Sequence, residues 1–449
     1  MSAEKVPPSS TSPSHIDLGR HVSFVEPDEP FADDDLMTES QEDVLDCMEG
    51  TEKNYLERDD FECELGSPAE DSWSEDFTDI AAYEIVDVIG DDRAGRPVVV
   101  IYAYRLPAHT PSADPTRPFD HQKFLRYLMH TLDKFVEQDY TIVYFHYGLR
   151  SYNKPSTRWL VQAYRLLDRK YKKNLKALYL VHPTRFIKIV WTMFRPFISA
   201  KFERKMQYVN YLHELREQLH CDQLVVPKEV EDHDRTLLMR GKIQAKPPPI
   251  KQLLPTQQFG VTLSYILKNQ GGAKLPPIVV ELTEYLLAEG LLTPGIFRRS
   301  VTVSEVRQTQ ERINRGEKIN FRQYDNPHLA AVLLKTFLRE LAEPVMTFAL
   351  YSEVLKTQEL PQDQRTGAIK ALVSKLPAEN YALLYHITKF LTEVMARCDA
   401  NLMNANNLAI VFGPNLAWPG DEQVGLVHVN QLTNFTYRLL TNWAEIFGS

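Results

Sequence analysis

Between residues 83 and 219, short apolar runs alternate with longer stretches of helical spacing. That rhythm restricts the fold more than any other feature of the chain. The runs fall at 85–88, 97–104, 141–146, 177–182 and 206–210 and are rich in β-branched and aromatic residues, as buried strands are. Across 121–138 the apolar residues Phe124, Leu125, Leu128, Leu132, Phe135 and Val136 recur at three- and four-residue intervals, and Trp159, Leu160, Ala163, Leu166 and Leu167 do so across 156–171. Asp91-Asp92-Arg93-Ala94-Gly95-Arg96 reads as a tight hairpin turn between the first two strands. Strands parted by helices return in the same direction, so 80–232 reads as an α/β layer with a largely parallel sheet. The apolar stretch 186–202, bent at Pro196, either lines a lipid cavity or packs as an ordinary core helix.

After Lys246-Pro247-Pro248-Pro249 and Pro255, which mark a linker over 233–256, the period changes. Residues 257–449 read as nearly all helix, with segments at 278–287, 304–314, 328–341, 380–396 and 405–413. The last of these reads as ending at Phe412-Gly413-Pro414-Asn415-Leu416, a C-cap and stop. A corner at Pro294-Gly295 is followed by the apolar pair Ile296 and Phe297 and then by Arg298 and Arg299. A root pinned in a core leaves a guanidinium free, and its planar fork suits a phosphate on another molecule. The alternative is a solvated surface pair. Lys335 and Arg339 are four apart and share a helix face, where like charges repel slightly unless the face meets an anion or an acidic partner.

Charge is distributed unevenly. Before residue 80 stand 24 Asp and Glu against four Lys and Arg, a charge of −20 in a chain whose total is −9, so the remainder is near +11. Residues 1–78, Ser/Pro-rich and then acidic, hold too few apolar residues to bury a core and read as a disordered tail. One use for such a tail is to mask a basic surface elsewhere in the chain. The four scattered cysteines make no disulfide framework and no zinc-ligand spacing, and a cytoplasmic setting fits them. No apolar run reaches the length of a membrane span. Nothing points to a metal, a cofactor or a nucleic-acid partner, and no hydrolase, metalloprotease or phosphate-loop motif occurs.

Several pieces together carry a resemblance in the first half: Gly90-Asp91-Asp92, Gly95-Arg96, Asp139-Tyr140-Thr141-Ile142-Val143-Tyr144, the run 168–176, and Val181-His182-Pro183-Thr184. The segment resembles the CRAL-TRIO-type fold in the version called the BCH domain. The resemblance implies a scaffold for lipid or for protein contacts, small GTPases included, without catalysis. Its basic cluster, Arg169, Lys170, Lys172, Lys173 and Lys176, either meets anionic lipid at a membrane periphery or forms the solvated end of a helix. Related proteins often carry a Pro-rich segment at the linker; this one has no PxxP, which puts SH3 recruitment in doubt.

The second half looks like a Rho GTPase-activating (RhoGAP) domain. The likeness rests on Gly295-Ile296-Phe297-Arg298-Arg299-Ser300, on Leu334-Lys335-Thr336-Phe337-Leu338-Arg339-Glu340-Leu341, and on Asn407-Leu408-Ala409-Ile410-Val411-Phe412-Gly413-Pro414-Asn415-Leu416. It implies that the partners are Rho-family GTPases in the GTP-bound state and that Arg298 corresponds to the family's arginine finger. Arg299 falls at a variable position. Lys335 and Arg339 correspond to residues that line the GTPase groove and steady the finger loop, and Asn407 to one that hydrogen-bonds the GTPase. Ala342 stands where the family usually has a proline, which implies a looser turn after Arg339. An activator of this kind supplies an arginine to another protein's active site and is not itself the enzyme. The rival reading is a lipid-binding adaptor that holds Rho-family GTPases without accelerating them. A third has residues 80–232 inhibiting the helical half in cis. An Arg298 buried in the core of its own half, or far from the side chains of Lys335 and Asn407, would exclude the finger role.

Overall fold

The computed structural model describes residues 76–108, 119–167, 169–195, 198–219, 224–241, 253–420 and 426–448. The acidic tail, apart from its last residues, and 242–252 of the linker lie outside them. So do part of the apolar stretch expected at 186–202 and several of its side chains.

In the first half a short helix α1 (Thr78–Ala81) precedes the hairpin β1 (Val86–Asp91) and β2 (Pro97–Tyr102). There follow α2 (His121–Asp133), β3 (Tyr140–Phe145), α3 (Thr157–Leu166), α4 (Arg169–Asn174) and β4 (Leu175–Val181). Then come α5 (Arg185–Phe194), α6 (Ala200–Glu203), β5 (Met206–Val209), α7 (Leu212–Leu219) and α8 (Lys228–Arg240). The five strands lie in chain order; β1 and β2 are antiparallel and the other pairs parallel. Central strands covered on both faces must be apolar throughout, and Val98, Val99 and Val100 are fully buried. Local chemistry starts the helices: the Asp120 carboxylate accepts from the backbone N–H groups of Gln122 and Lys123, and Ser156 Oγ from that of Trp159.

The linker expected from residue 233 begins later. Residues 233–240 complete α8, because Asp234 is buried and takes hydrogen bonds from the Leu212 backbone N–H at 2.8 Å and pairs with His182 Nε2 at 2.9 Å. A carboxylate held inside the α/β body ties this helix to it.

The second half comprises α9 (Leu263–Asn269), α10 (Pro277–Tyr285), α11 (Val303–Asn314), α12 (Pro327–Arg339), α13 (Thr347–Thr357) and α14 (Gln362–Val373). It continues with α15 (Ala378–Met395), α16 (Cys398–Asn401), α17 (Ala405–Leu416), α18 (Leu426–Thr441) and α19 (Trp443–Phe447). A π turn at Leu286–Gly290 extends α10 before the arginine loop. The stop expected at Gly413-Pro414 is not one: α17 runs through to Leu416. Gly413 serves close packing instead, since a Cβ there would lie 3.0 Å from the Leu432 carbonyl oxygen on α18. Asn415 Nδ2 donates to Val411 O at 2.8 Å inside the same turn.

The two halves share a continuous seam. β1, the edge strand, is covered by α17 and α18, and Lys134 Nζ reaches Asn430 Oδ1 at 3.2 Å. One apolar cluster extends from Ile85, Val86 and Val88 to Val429 and Leu432.

Candidate functional site: the arginine loop and the α12 face

The loop after the π turn is built on two left-handed residues. Gly295, at φ 69°, donates its N–H to Asn401 O at 2.8 Å, and Phe297 is also at φ 69°. A side chain in that region costs about 1–2 kcal/mol. Burial offsets the cost, for Phe297 is fully buried and meets Phe390 of α15 and Phe412 of α17 edge-on, with ring centroids 6.1 and 5.0 Å apart. The loop is therefore rooted in its own half, and Arg298 projects from that root.

Arg298 does not project into solvent. It is 8% exposed, and its Nη2 donates to Glu137 O at 2.6 Å and lies 3.3 Å from Glu137 Oε2. The partner its guanidinium meets, Glu137, belongs to the α2–β3 turn of the α/β body. Burial pulls its guanidinium below the ordinary value, against the opposing pull of Glu137. The same turn grips the loop elsewhere. Asp139 N–H donates to Arg298 O at 3.3 Å, while the Asp139 carboxylate accepts from Ser300 Oγ at 2.7 Å and from Ser300 N at 3.2 Å.

Asn326 caps α12 by accepting from the His328 N–H, with Pro327 in the first turn. The helix is buried from Leu329 to its end, Lys335 and Arg339 included, at 1% and 2% exposure. Their cover is the hairpin tip. Lys335 Nζ donates to Gly95 O and lies 3.1 Å from Asp91 Oδ2; Arg339 Nη1 donates to Asp92 O at 2.8 Å. Asp92 itself is spent on the turn, accepting from Ala94 N, Arg96 N, Arg96 Nε and Thr141 Oγ1. Gly95 sits at φ 74°, and a Cβ there would press on Val332 and Lys335 at 3.2–3.3 Å. Nε and Nη2 of Arg339 are buried without a hydrogen-bond partner among the described residues.

Arg298, Lys335 and Arg339 are thus brought to one surface and covered by one edge of the α/β body, because Thr141 ties the hairpin to the strand that follows Asp139. Asn407 stands apart from this cover. At the start of α17, capped by Asn404, it is 8% exposed and its Nδ2 donates to Leu402 O at 2.8 Å. The turn after Arg339 is tied, not loose: Ala342 N–H donates to Val261 O at 3.1 Å and Thr347 N–H to Pro344 O at 2.8 Å.

The basic cluster lies next to the same seam. Lys176 pairs with Asp139 at 3.0 Å, Lys170 with Asp133 at 3.1 Å, and Lys172 Nζ stands 4.0 Å above the Tyr164 ring. Lys205 donates to the Lys172 and Lys173 carbonyls at the end of α4, and burial pulls its pKa down to about 8. Burial first, then Arg169, Lys176 and Arg299, lower that of Lys173. Arg169 belongs to the same helix.

Glu137, Asp139 and the hairpin carbonyls were not expected as site residues. The only signal was that Gly90–Asp92, Gly95–Arg96 and the run from Asp139 are motif pieces of the first half; the contacts they make were not legible. Among the described residues no group of His, Cys, Asp and Glu is arranged to hold a metal, and no helix is long and apolar enough to cross a membrane.

Comparison with known proteins agrees with both halves. Residues 276–421 match the RhoGAP domain and residues 95–236 the divergent CRAL/TRIO domain. The chain is 47% identical over 381 residues to mouse Rho GTPase-activating protein 1, covering 84% of this chain and 85% of that one. It is 45% identical to mouse Rho GTPase-activating protein 8, over 84% and 88%. Human Rho GTPase activating protein 15 is a structural neighbour with 27% identity and a TM-score of 0.42, covering 45% of this chain and all of that one, a likeness too low to carry an argument. With its α/β body, helical body and arginine loop in this order, the chain belongs to the Rho GTPase-activating proteins that join a CRAL/TRIO domain to a RhoGAP domain.

Proposed function

We propose that this GTPase activator lends Arg298 to the nucleotide site of a GTP-loaded Rho-family protein, and that the seam described above is its closed form. GTP hydrolysis passes through a loose transition state with charge spread over the phosphate oxygens. A guanidinium brought in from outside neutralises charge that the GTPase alone leaves unanswered, worth roughly 10³–10⁵ in rate. Lys335, Arg339 and Asn407 would line the docking groove. The observation that carries the reading is the pairing itself. The arginine is rooted by Phe297 and aimed outward, yet it meets Glu137. The α/β body offers these cations carboxylates and carbonyls, the same chemistry that a phosphate or an acidic partner surface offers. Opening must precede engagement.

Single-turnover hydrolysis with GTP-loaded Rho-family proteins tests both parts. Arg298→Ala is expected to abolish stimulation while the complex still forms; an undiminished rate removes the finger assignment. The double variant Glu137→Gln/Asp139→Asn is expected to be faster than wild type at limiting GTPase, and equal rates would refute the closed form. Complex formation without phosphate release in the wild type would favour the adaptor reading.

A peripheral membrane contact at Arg169, Lys170, Lys172, Lys173 and Lys176 is supported by the crowding of these cations on α4 and the start of β4, where burial first and then the neighbouring charges lower the Lys173 pKa. Sedimentation with anionic vesicles should fall on Lys172→Glu/Lys173→Glu. Unchanged sedimentation leaves the cluster as a helix end only.

A further inference from the structure

Asn401 is fully buried, and every hydrogen-bonding group of its side chain is spent. Nδ2 donates to Leu291 O and to Val394 O, both at 2.9 Å, and Oδ1 accepts from Met403 N at 2.8 Å. Its backbone oxygen takes the Gly295 N–H at 2.8 Å. Leu291 and Gly295 bracket the bend of the arginine loop, and Val394 lies near the end of α15. The following residue, Leu402, is left-handed at φ 63°, and its carbonyl accepts from Asn407 Nδ2 at 2.8 Å. One dipeptide therefore fixes the start and the bend of the arginine loop against α15, and orients the Asn407 amide at the head of α17.

We propose that Asn401 is a positioning residue for the stimulated hydrolysis, holding the arginine loop and the α17 head in one geometry. The proposal rests on Arg298 being the supplied arginine. The asparagine touches neither nucleotide nor GTPase. It acts through the loop, because a guanidinium that must meet a transition state cannot be displaced by about 1 Å without losing on the order of 10²-fold in rate. No other neutral side chain of this size offers two donors and an acceptor in one plane. A loop held only by Phe297 would keep its root and lose the angle at which Arg298 leaves it.

The test uses the full chain in single-turnover hydrolysis of a GTP-loaded Rho-family protein at a series of chain concentrations, separating the saturating rate from the half-saturating concentration. Asn401→Ala and Asn401→Ser are expected to lower the saturating rate roughly 10- to 100-fold while half-saturation moves less than about 3-fold. Asn380→Ala is the control, since Asn380 is also a buried amide bonded to a carbonyl, Val345 O at 3.0 Å, with no contact to the loop. It is expected to lower the melting temperature comparably and to keep the wild-type saturating rate. Amide hydrogen exchange at Gly295 and Arg298 should quicken in the Asn401 variants while α15 and α17 stay protected, and wild-type protection there overturns the proposal even where one variant folds poorly. A folded Asn401 variant with the wild-type saturating rate, or an equal loss in Asn380→Ala, overturns it too. Slow Arg298→Ala beside fast Asn401→Ser refutes this inference alone; fast Arg298→Ala refutes the finger reading and this one together.

Discussion

Phe297 holds an unfavourable backbone conformation so that its neighbour can leave the loop at a set angle. Its ring is fully buried between Phe390 and Phe412. Phe297→Ala removes that root and is expected to cost about 3–5 kcal/mol in a denaturant melt. It should also slow stimulated hydrolysis at saturation; a full rate in the folded variant would show that the anchor does not set the arginine's position. His146 makes a different residue-scale case. It is buried, its Nε2 shares a 2.9 Å hydrogen bond with Thr184 Oγ1, and its Nδ1 has no hydrogen-bond partner among the described residues. Burial first, then Arg150, His182 and His233, push its pKa from 6.5 down to about 3. The unfolded chain then binds a proton that the folded chain refuses, so the stability from this group is intact above pH 6.5 and is lost as the pH falls toward 3. The slope is at most about 1.4 kcal/mol per pH unit. Stability followed against pH should show this slope in the wild type and lose it in His146→Gln; identical profiles would place the titration elsewhere. Arg298 and Lys335 were singled out by their motifs; Asn401 was not, because a buried amide has no periodic or charge signature.

At the scale of elements, periodicity located the five strands and about half of the helices among the described residues. β1–β2 and the turn at residues 91–96 fall where β-branched runs flank Asp and Gly. Among those not singled out are α8, α9, α13, α14, α18 and α19. Their polar and apolar residues mix less regularly, as in α14, where Gln362, Asp363, Gln364 and Arg365 open the helix. The misread stop in α17 has a packing cause. Gly413 and Pro414 look like punctuation along the chain, whereas the fold uses Gly413 to bring α18 close. Gly413→Ala would put a methyl 3.0–3.1 Å from the backbone of Leu432 and Thr433, which cannot swing aside. The variant should lose about 1–3 kcal/mol of stability, read as a lower denaturation midpoint. No loss would mean that α18 shifts freely, against its burial of Leu432, Phe435 and Leu439.

For the whole molecule the seam joins two charge systems. A mildly basic helical face and an acidic edge of the α/β body meet over Arg298, Lys335 and Arg339, and Arg339 keeps two donor nitrogens without a hydrogen bond among the described residues, Nη2 standing 3.7 Å from Glu340 Oε1. Buried charges so incompletely paired make a weak clasp, since desolvation offsets much of the attraction. Reversing the charge of the cover with Asp91→Lys/Glu137→Lys should part the halves. Solution scattering would then give a larger radius of gyration, and the stimulated rate at limiting GTPase would rise; an unchanged radius would show that the apolar contact of β1 with α17 and α18 holds the seam by itself. Among the described residues, the cover over these cations comes from the α/β body.

The order of residues determined the α/β layer, the helical half and the cations offered to a partner, since these depend on spacing within a few turns of chain. The tertiary structure decided what those cations meet. Lys335 finds a carbonyl 240 residues away and Arg298 one 161 residues away. Every residue type carries a carbonyl, so a contact made to backbone oxygen leaves no mark in the sequence, and only the folded arrangement of the two halves brings it into reach.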